Sequence, residues 1–135
     1  MGSIDVSRLI AFDFFEGLSS QDLAFIVTNC KELEVPSGSI LIQQGQVGKD
    51  VYLMEEGSVK VYRGQADSPK VQAVLEAPAI VGEMALLDKE RIRTSSVVAL
   101  NNLRLLSVPI GTFLVFVGVY PSLKERLRRL VDSRS

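Results

Sequence analysis

Residues 82–95 are the segment of this chain best suited to bind a ligand, because they combine a glycine, a carboxylate, a guanidinium and two hydroxyl groups. Its candidate residues are Gly82, Glu83, Arg93, Thr94 and Ser95. Glycine lets a backbone turn tightly or approach a ligand closely, and a helical turn starting at Glu83 would present free N–H groups that suit an anion. The planar fork of Arg93 matches a phosphate or a carboxylate. Such a set can hold a small ligand that carries both hydroxyls and negative charge.

The same residues also permit a purely structural interpretation. Glu83 and Arg93 are ten residues apart and could form an ion pair on the surface. A pair of this kind contributes only ~0–1 kcal/mol to stability. From the residues alone, a ligand site and a surface ion pair both stay open.

Composition narrows the class of function. The 135 residues include no His and a single cysteine, Cys30. Imidazole metal sites, His general bases, zinc sites and internal disulfides are therefore excluded. We predict no catalytic residue, no metal site and no cofactor, and hence a protein that is not an enzyme. Cys30 lies on a helical apolar stripe, which favours packing in the core over a reactive thiol.

Charge and hydropathy argue against two classes of partner. Fifteen basic and sixteen acidic residues give a net charge of -1. This balance supplies no overall field for nucleic acid or for an acidic membrane surface. No apolar stretch reaches the ~18 residues that a membrane-spanning helix needs. We expect a cytoplasmic protein without a nucleic-acid or membrane partner.

The sequence pattern places the 82–95 segment inside a β-rich body. Helical signals cover residues 19–30, starting with a Ser19 cap, and return over residues 109–133. Between them, residues 31–108 contain short β-rich runs separated by turn residues, which indicates an antiparallel sandwich or barrel. The predicted strands are residues 33–35, 40–42, 51–54, 59–62, 71–75, 96–100 and 103–108. We interpret residues 1–135 as a single domain.

The motifs of this chain resemble those of the cyclic-nucleotide-binding domain family. The run Gly82-Glu83-Met84-Ala85-Leu86-Leu87, followed by Arg93-Thr94-Ser95, is similar to the family's phosphate-binding cassette. Upstream, Gln44-Gly45, Gly48, Asp50, Tyr52 and the Glu56–Val59 turn fall where the family carries its glycine, aspartate and tyrosine pattern. The resemblance covers roughly residues 14 to 130. Val81 and Ile92 depart from residues frequent in the family, but neither departure removes a ligand-contacting group.

The resemblance implies a fold, a ligand and a role for each residue. It implies a mainly β fold, an antiparallel jelly-roll β-barrel flanked by an N-terminal helix and C-terminal helices. The protein would be a sensor or regulatory domain whose ligand is cAMP or cGMP. Glu83 would accept from the ribose 2′-hydroxyl beside Gly82, and Arg93 would pair with the cyclic phosphate. Met84 belongs to the same cassette, and the N–H of Ala85 with Thr94 and Ser95 would complete the phosphate cradle.

The C-terminal helix carries an apolar stripe that must be covered. Leu123, Leu127, Leu130 and Val131 recur at helical spacing. The stripe would pack either on the barrel or on a second copy of the chain, which makes a homodimer through this helix one prediction. The alternative function is an interaction or dimerisation module of the same fold that binds no nucleotide.

Overall fold

Helices lie on both sides of the β-rich region in the computed structural model, which describes residues 4–65 and 67–134. Helices α1 (Ser7–Ile10) and α2 (Ser20–Thr28) precede the strands, with a 3-10 turn at Asp13–Phe15 between them. Helices α3 (Ile110–Val119) and α4 (Pro121–Arg134) follow the strands. Ser19 caps α2, since its hydroxyl accepts from the backbone N–H of Asp22 at 3.2 Å. The cap is where the sequence placed it, whereas α1 and the 3-10 turn were not predicted.

The strands of the described residues are β1 (Lys31–Val35), β2 (Ile40–Ile42), β3 (Asp50–Glu56), β4 (Ser58–Gln65), β5 (Ser68–Glu76), β6 (Ala79–Val81), β7 (Ser96–Ala99) and β8 (Leu103–Pro109). They form two four-stranded antiparallel sheets, in the orders β1-β8-β3-β6 and β2-β7-β4-β5. The prediction of a mainly antiparallel β fold is confirmed, and the strands remain in two sheets instead of closing into one barrel. β6 was not predicted, because Pro78 reads as a turn signal and the strand after it has only three residues.

The first sheet is covered on both faces, and β3 shows how the sequence achieves this. Val51 and Leu53 pack against the helices, whereas Tyr52 and Met54 face the second sheet. This alternation follows from the two-residue period of a strand. On the helical side, aromatic rings fill the space, among them Phe14, Phe15 and Phe113 with centroids 5.5–5.8 Å apart. The helices are therefore fixed on the sheet by a shared core.

Helix α4 packs on the body of its own chain. Leu123 and Leu127 are each 1% exposed and belong to the core shared with the first sheet. Leu130 and Val131 pack half-buried against the same core. Two alternatives were predicted for the apolar stripe, packing on the barrel or on a second copy. In the structure the stripe packs on the body of its own chain. A homodimer through α4 stays a prediction.

Cys30 lies just after α2 and packs against the helical core. Its Sγ donates to the backbone carbonyl of Ile26 at 3.1 Å. Burial raises the pKa of the thiol to about 11, so the nucleophilic thiolate is scarce at neutral pH. This environment agrees with the packing role predicted for Cys30.

Among the described residues, no helix is long and apolar enough to cross a membrane.

Candidate functional site

Gly82 makes the turn that opens the cassette segment, as we call residues 82–95. Its φ of +89° lies in the left-handed region, and a 3-10 turn, Glu83–Leu86, follows it. A Cβ at Gly82 would lie 2.8 Å from Nη1 of Arg93 and 3.2 Å from Cδ1 of Ile42. Both the backbone conformation and the close approach therefore require glycine here.

The guanidinium of Arg93 is buried directly beside this turn. Arg93 is 7% exposed, and its Nη1 and Nη2 donate to the carbonyls of Gly82 and Asp50 at 3.1 and 2.7 Å. Burial lowers the pKa of this guanidinium, and the nearby Tyr52, Asp50 and Glu83 act in the opposite direction. An arginine stays protonated even after such a shift. The site thus contains a permanent buried cation whose partners are two neutral carbonyls.

Gly48 makes room for Arg93. A Cβ at Gly48 would lie 2.7 Å from both Cζ and Nε of Arg93. Gly48 was predicted only as part of the family's glycine pattern, without a contact to Arg93. A long-range backbone contact brings Gly48 close to Arg93, because the N–H of Gly48 donates to the carbonyl of Arg91 at 2.6 Å. No local signal in the sequence indicates this contact.

Glu83 is the acidic group of the site and is almost completely buried, with 4% of its surface exposed. Its Oε1 accepts from Nη1 of Arg134, the last described residue of α4, at 2.7 Å. Arg134 also donates to the carbonyl of Ile80 in β6. The structure brings Glu83 and Arg93 into one site but does not pair them, so the interpretation as a surface ion pair is wrong. Arg134 was not predicted as a site residue.

The hydroxyl residues connect the end of the cassette segment to its surroundings. Thr94 is exposed, and its hydroxyl donates to Sδ of Met84 at 3.3 Å. Ser95 is buried and donates to Oε1 of Gln72 on β5. Gln72 lies where the pairing of β4 with β5 shifts register, and such bulges often redirect a side chain beside a site. Gln72 was not predicted as a site residue.

Arg91 stabilises the far end of the cassette turn. Its Nη1 donates to the carbonyls of Ala85, Leu86 and Asp88 at 3.1, 2.9 and 2.6 Å. Ala85 and Leu86 end the 3-10 turn, and the last carbonyls of a helical turn lack partners within it. The Asp88 carbonyl also accepts from the backbone N–H of Arg91. The two arginines of the segment therefore differ: Arg91 supports the turn, and Arg93 points into the site.

A cavity of about 40 Å³ lies between these groups. By this measure a single water needs ~10–15 Å³, so the cavity has room for only a few waters. Apolar side chains from both sheets contribute to its lining, and Arg134 reaches it from α4. Its lining includes Gly82, Glu83, Met84, Ala85, Arg93, Thr94 and Ser95, together with Ile42, Val61, Leu75, Val81, Val97 and Arg134. All seven residues predicted from the sequence thus line one cavity.

Comparison with known proteins identifies relatives of this segment and of the fold around it. The sequence model of the family described as "Cyclic nucleotide-binding domain" matches residues 32–118, more than half of the chain. The acetyltransferase Pat of Mycolicibacterium smegmatis is 36% identical over 96 residues, which are 71% of this chain and 28% of that protein. The cyclic AMP receptor protein of Thermus thermophilus is 27% identical over 121 residues, which are 89% of this chain and 56% of that protein.

Solved structures agree with this assignment at the level of the fold. The regulatory domain of Toxoplasma gondii PKA, crystallised with cAMP, aligns with a TM-score of 0.82 at 21% identity. The alignment covers 95% of this chain and 48% of that one. The chain therefore spans about half of this protein and of the Thermus thermophilus relative, and a smaller share of the acetyltransferase.

Proposed function

Because this chain belongs to the cyclic nucleotide-binding domain family, we propose that its cassette segment binds cAMP or cGMP and that the domain is a sensor. One observation carries the proposal: the cation of Arg93 and the carboxylate of Glu83 line the same buried cavity. A cyclic nucleotide offers one group to each of them, an anionic phosphate and a ribose hydroxyl. Both partners of Arg93 in the structure are neutral, so a phosphate would give it the charge partner it lacks.

The remaining residues of the cassette segment complete the proposed site. Gly82 leaves space for Arg93 next to the turn, and the N–H of Ala85 with Thr94 and Ser95 would complete the phosphate cradle. Met84 lines the cavity, and its Sδ accepts a hydrogen bond from the Thr94 hydroxyl. The bound molecule is the signal and not a cofactor, and no residue is assigned to catalysis.

A thermal unfolding series tests this proposal. A ligand that binds only the folded state stabilises it by RT ln(1 + [L]/Kd), which is ~2.7 kcal/mol at a hundredfold excess over Kd. We expect cAMP and cGMP to raise the melting temperature and 5′-AMP, which lacks the cyclic phosphate, to raise it much less. An equal effect of all three nucleotides would show that the cyclic phosphate is not recognised.

Thr94 is expected to contribute more to the binding of cGMP than to the binding of cAMP. Its hydroxyl can accept a hydrogen bond from the 2-amino group of guanine, which adenine lacks, and its present acceptor is only the weakly accepting Sδ of Met84. One neutral hydrogen bond contributes ~0.5–1.5 kcal/mol. Thr94→Ala should therefore weaken cGMP binding about two- to tenfold and change cAMP binding less, measured by calorimetric titration of both ligands. Equal losses would show that Thr94 contacts only the phosphate.

Absence of enzymatic activity, absence of nucleic-acid and membrane partners, a cytoplasmic location and a single-domain organisation stay predictions from composition and pattern. The alternative of an interaction module is less well supported, because the apolar stripe of α4 already packs on its own chain. We therefore place cyclic nucleotide sensing first.

A further inference from the structure

We infer that Arg134 competes with the ligand for Glu83, so that docked α4 keeps the affinity of the site low. This inference rests on the proposed function, since it concerns the same carboxylate that would accept the ribose hydroxyl. It assigns a specific role to one residue of α4: the guanidinium of Arg134 occupies the acceptor that the ligand needs.

The contact between Arg134 and Glu83 is a buried ion pair. Nη1 of Arg134 lies 2.7 Å from Oε1 of Glu83, and the two side chains are 11% and 6% exposed. The other ion pairs among the described residues involve more exposed side chains. Because Arg134 also donates to the carbonyl of Ile80, it connects the end of α4 to both the cassette turn and β6. A ligand hydroxyl that reaches Glu83 must displace or share this cation.

The space around Arg134 supports the same conclusion. The cavity that it lines measures about 40 Å³, whereas sites for small ligands occupy roughly 300–1,000 Å³. Lining side chains must therefore move before a cyclic nucleotide can fit, and Arg134 is the lining residue that α4 contributes. Arg134 also lines a groove of about 510 Å³, together with Asp13, Glu16, Arg126 and Arg129. The groove offers room for the displaced guanidinium.

The exchange of partners lowers the affinity for a physical reason. Binding replaces the buried ion pair of Glu83, in which both partners are charged, with a hydrogen bond donated by a neutral hydroxyl. The ion pair is the stronger of the two contacts. Removing Arg134 raises the free energy of the unliganded state, in which Glu83 would be buried without its cation. The liganded state, in which Glu83 bonds the ribose, loses nothing comparable. Affinity for the ligand should then increase.

Arg134→Ala tests the inference, and Arg129→Ala is the matched control. Arg129 lies on the same helix but is mostly exposed and pairs with Glu125 of that helix. We expect Arg134→Ala to bind cAMP and cGMP about tenfold more tightly or better in calorimetric titrations. Arg129→Ala should stay within about twofold of the unmodified chain. Arg134→Lys, which keeps the charge without the guanidinium geometry, should lie between them.

Glu83→Ala provides a second arm. In the unmodified chain this substitution removes the ribose acceptor but also the ion pair with Arg134 that the ligand must break, so the loss of affinity should be small. In the Arg134→Ala background it removes the acceptor alone, and the loss should reach about tenfold.

The outcomes separate the inference from the proposed function. If the unmodified chain binds a cyclic nucleotide and Arg134→Ala binds equally or more weakly while remaining folded by circular dichroism, the inference is wrong and the proposed function stands. If neither protein binds either nucleotide, the proposed function is wrong and the inference falls with it. Hydrogen exchange without ligand gives a further check, because Glu83→Gln should speed exchange in the last turn of α4. Unchanged exchange there would contradict a restraint by this ion pair.

Discussion

Arg93→Ala is expected to weaken cyclic nucleotide binding by ~2–5 kcal/mol, at least about 30-fold in affinity. The substitution leaves the phosphate of the ligand in a buried site without its charge partner. The guanidinium bonds only backbone carbonyls in the unliganded fold, so the loss should appear mainly in binding. The measurement is a calorimetric titration with cAMP and with cGMP.

Arg91→Ala is the control for this experiment. Arg91 supports the cassette turn through three carbonyls and does not line the cavity. It should reduce affinity much less than Arg93→Ala. If Arg91→Ala abolished binding while Arg93→Ala bound normally, the assignment of the phosphate-binding arginine would be wrong.

Leu127→Ala is expected to lower the free energy of unfolding by ~2–5 kcal/mol. Leu127 is 1% exposed and fixes the middle of α4 on the core shared by the first sheet and the aromatic rings. Truncation removes buried methyl groups and leaves a cavity that the packed sheet cannot fully close. Urea denaturation followed by circular dichroism measures the change.

Leu100→Ala makes the same chemical change at the turn after β7. Leu100 is 45% exposed, and the N–H that donates to the carbonyl of Ser58 belongs to the backbone and is retained. Its cost should stay within about 0.5 kcal/mol, as is usual for surface positions. Equal costs at Leu100 and Leu127 would contradict the docking of α4 on the core.

Local patterns in the sequence predicted much of the fold because each element carries its own signal. Ser19 followed by an acidic first turn indicates the start of α2, and the alternation in β3 assigns its two faces. The segments that escaped prediction carry weak or misleading signals. β6 is three residues long after a proline, and α1 has four residues, too few for a periodic pattern to be recognised.

The candidate site divides in the same way. Gly82, Glu83 and Arg93 are found from the sequence because their spacing within one segment forms a motif. Gly48, Gln72 and Arg134 join the site from other elements, through sheet pairing and the docking of α4. Spacing along the chain contains no information about such contacts. Arg134 reads as one more basic residue on a solvated helix until the packing of α4 brings it to Glu83.

Calorimetric titration of the unmodified chain with cAMP and cGMP tests the central claim most directly. We predict saturable binding of at least one of the two nucleotides, with one ligand per chain and competition by the other nucleotide for the same site. The absence of saturable binding of both nucleotides at millimolar concentration, in a sample that circular dichroism shows to be folded, would contradict the claim that this cavity is a cyclic nucleotide site.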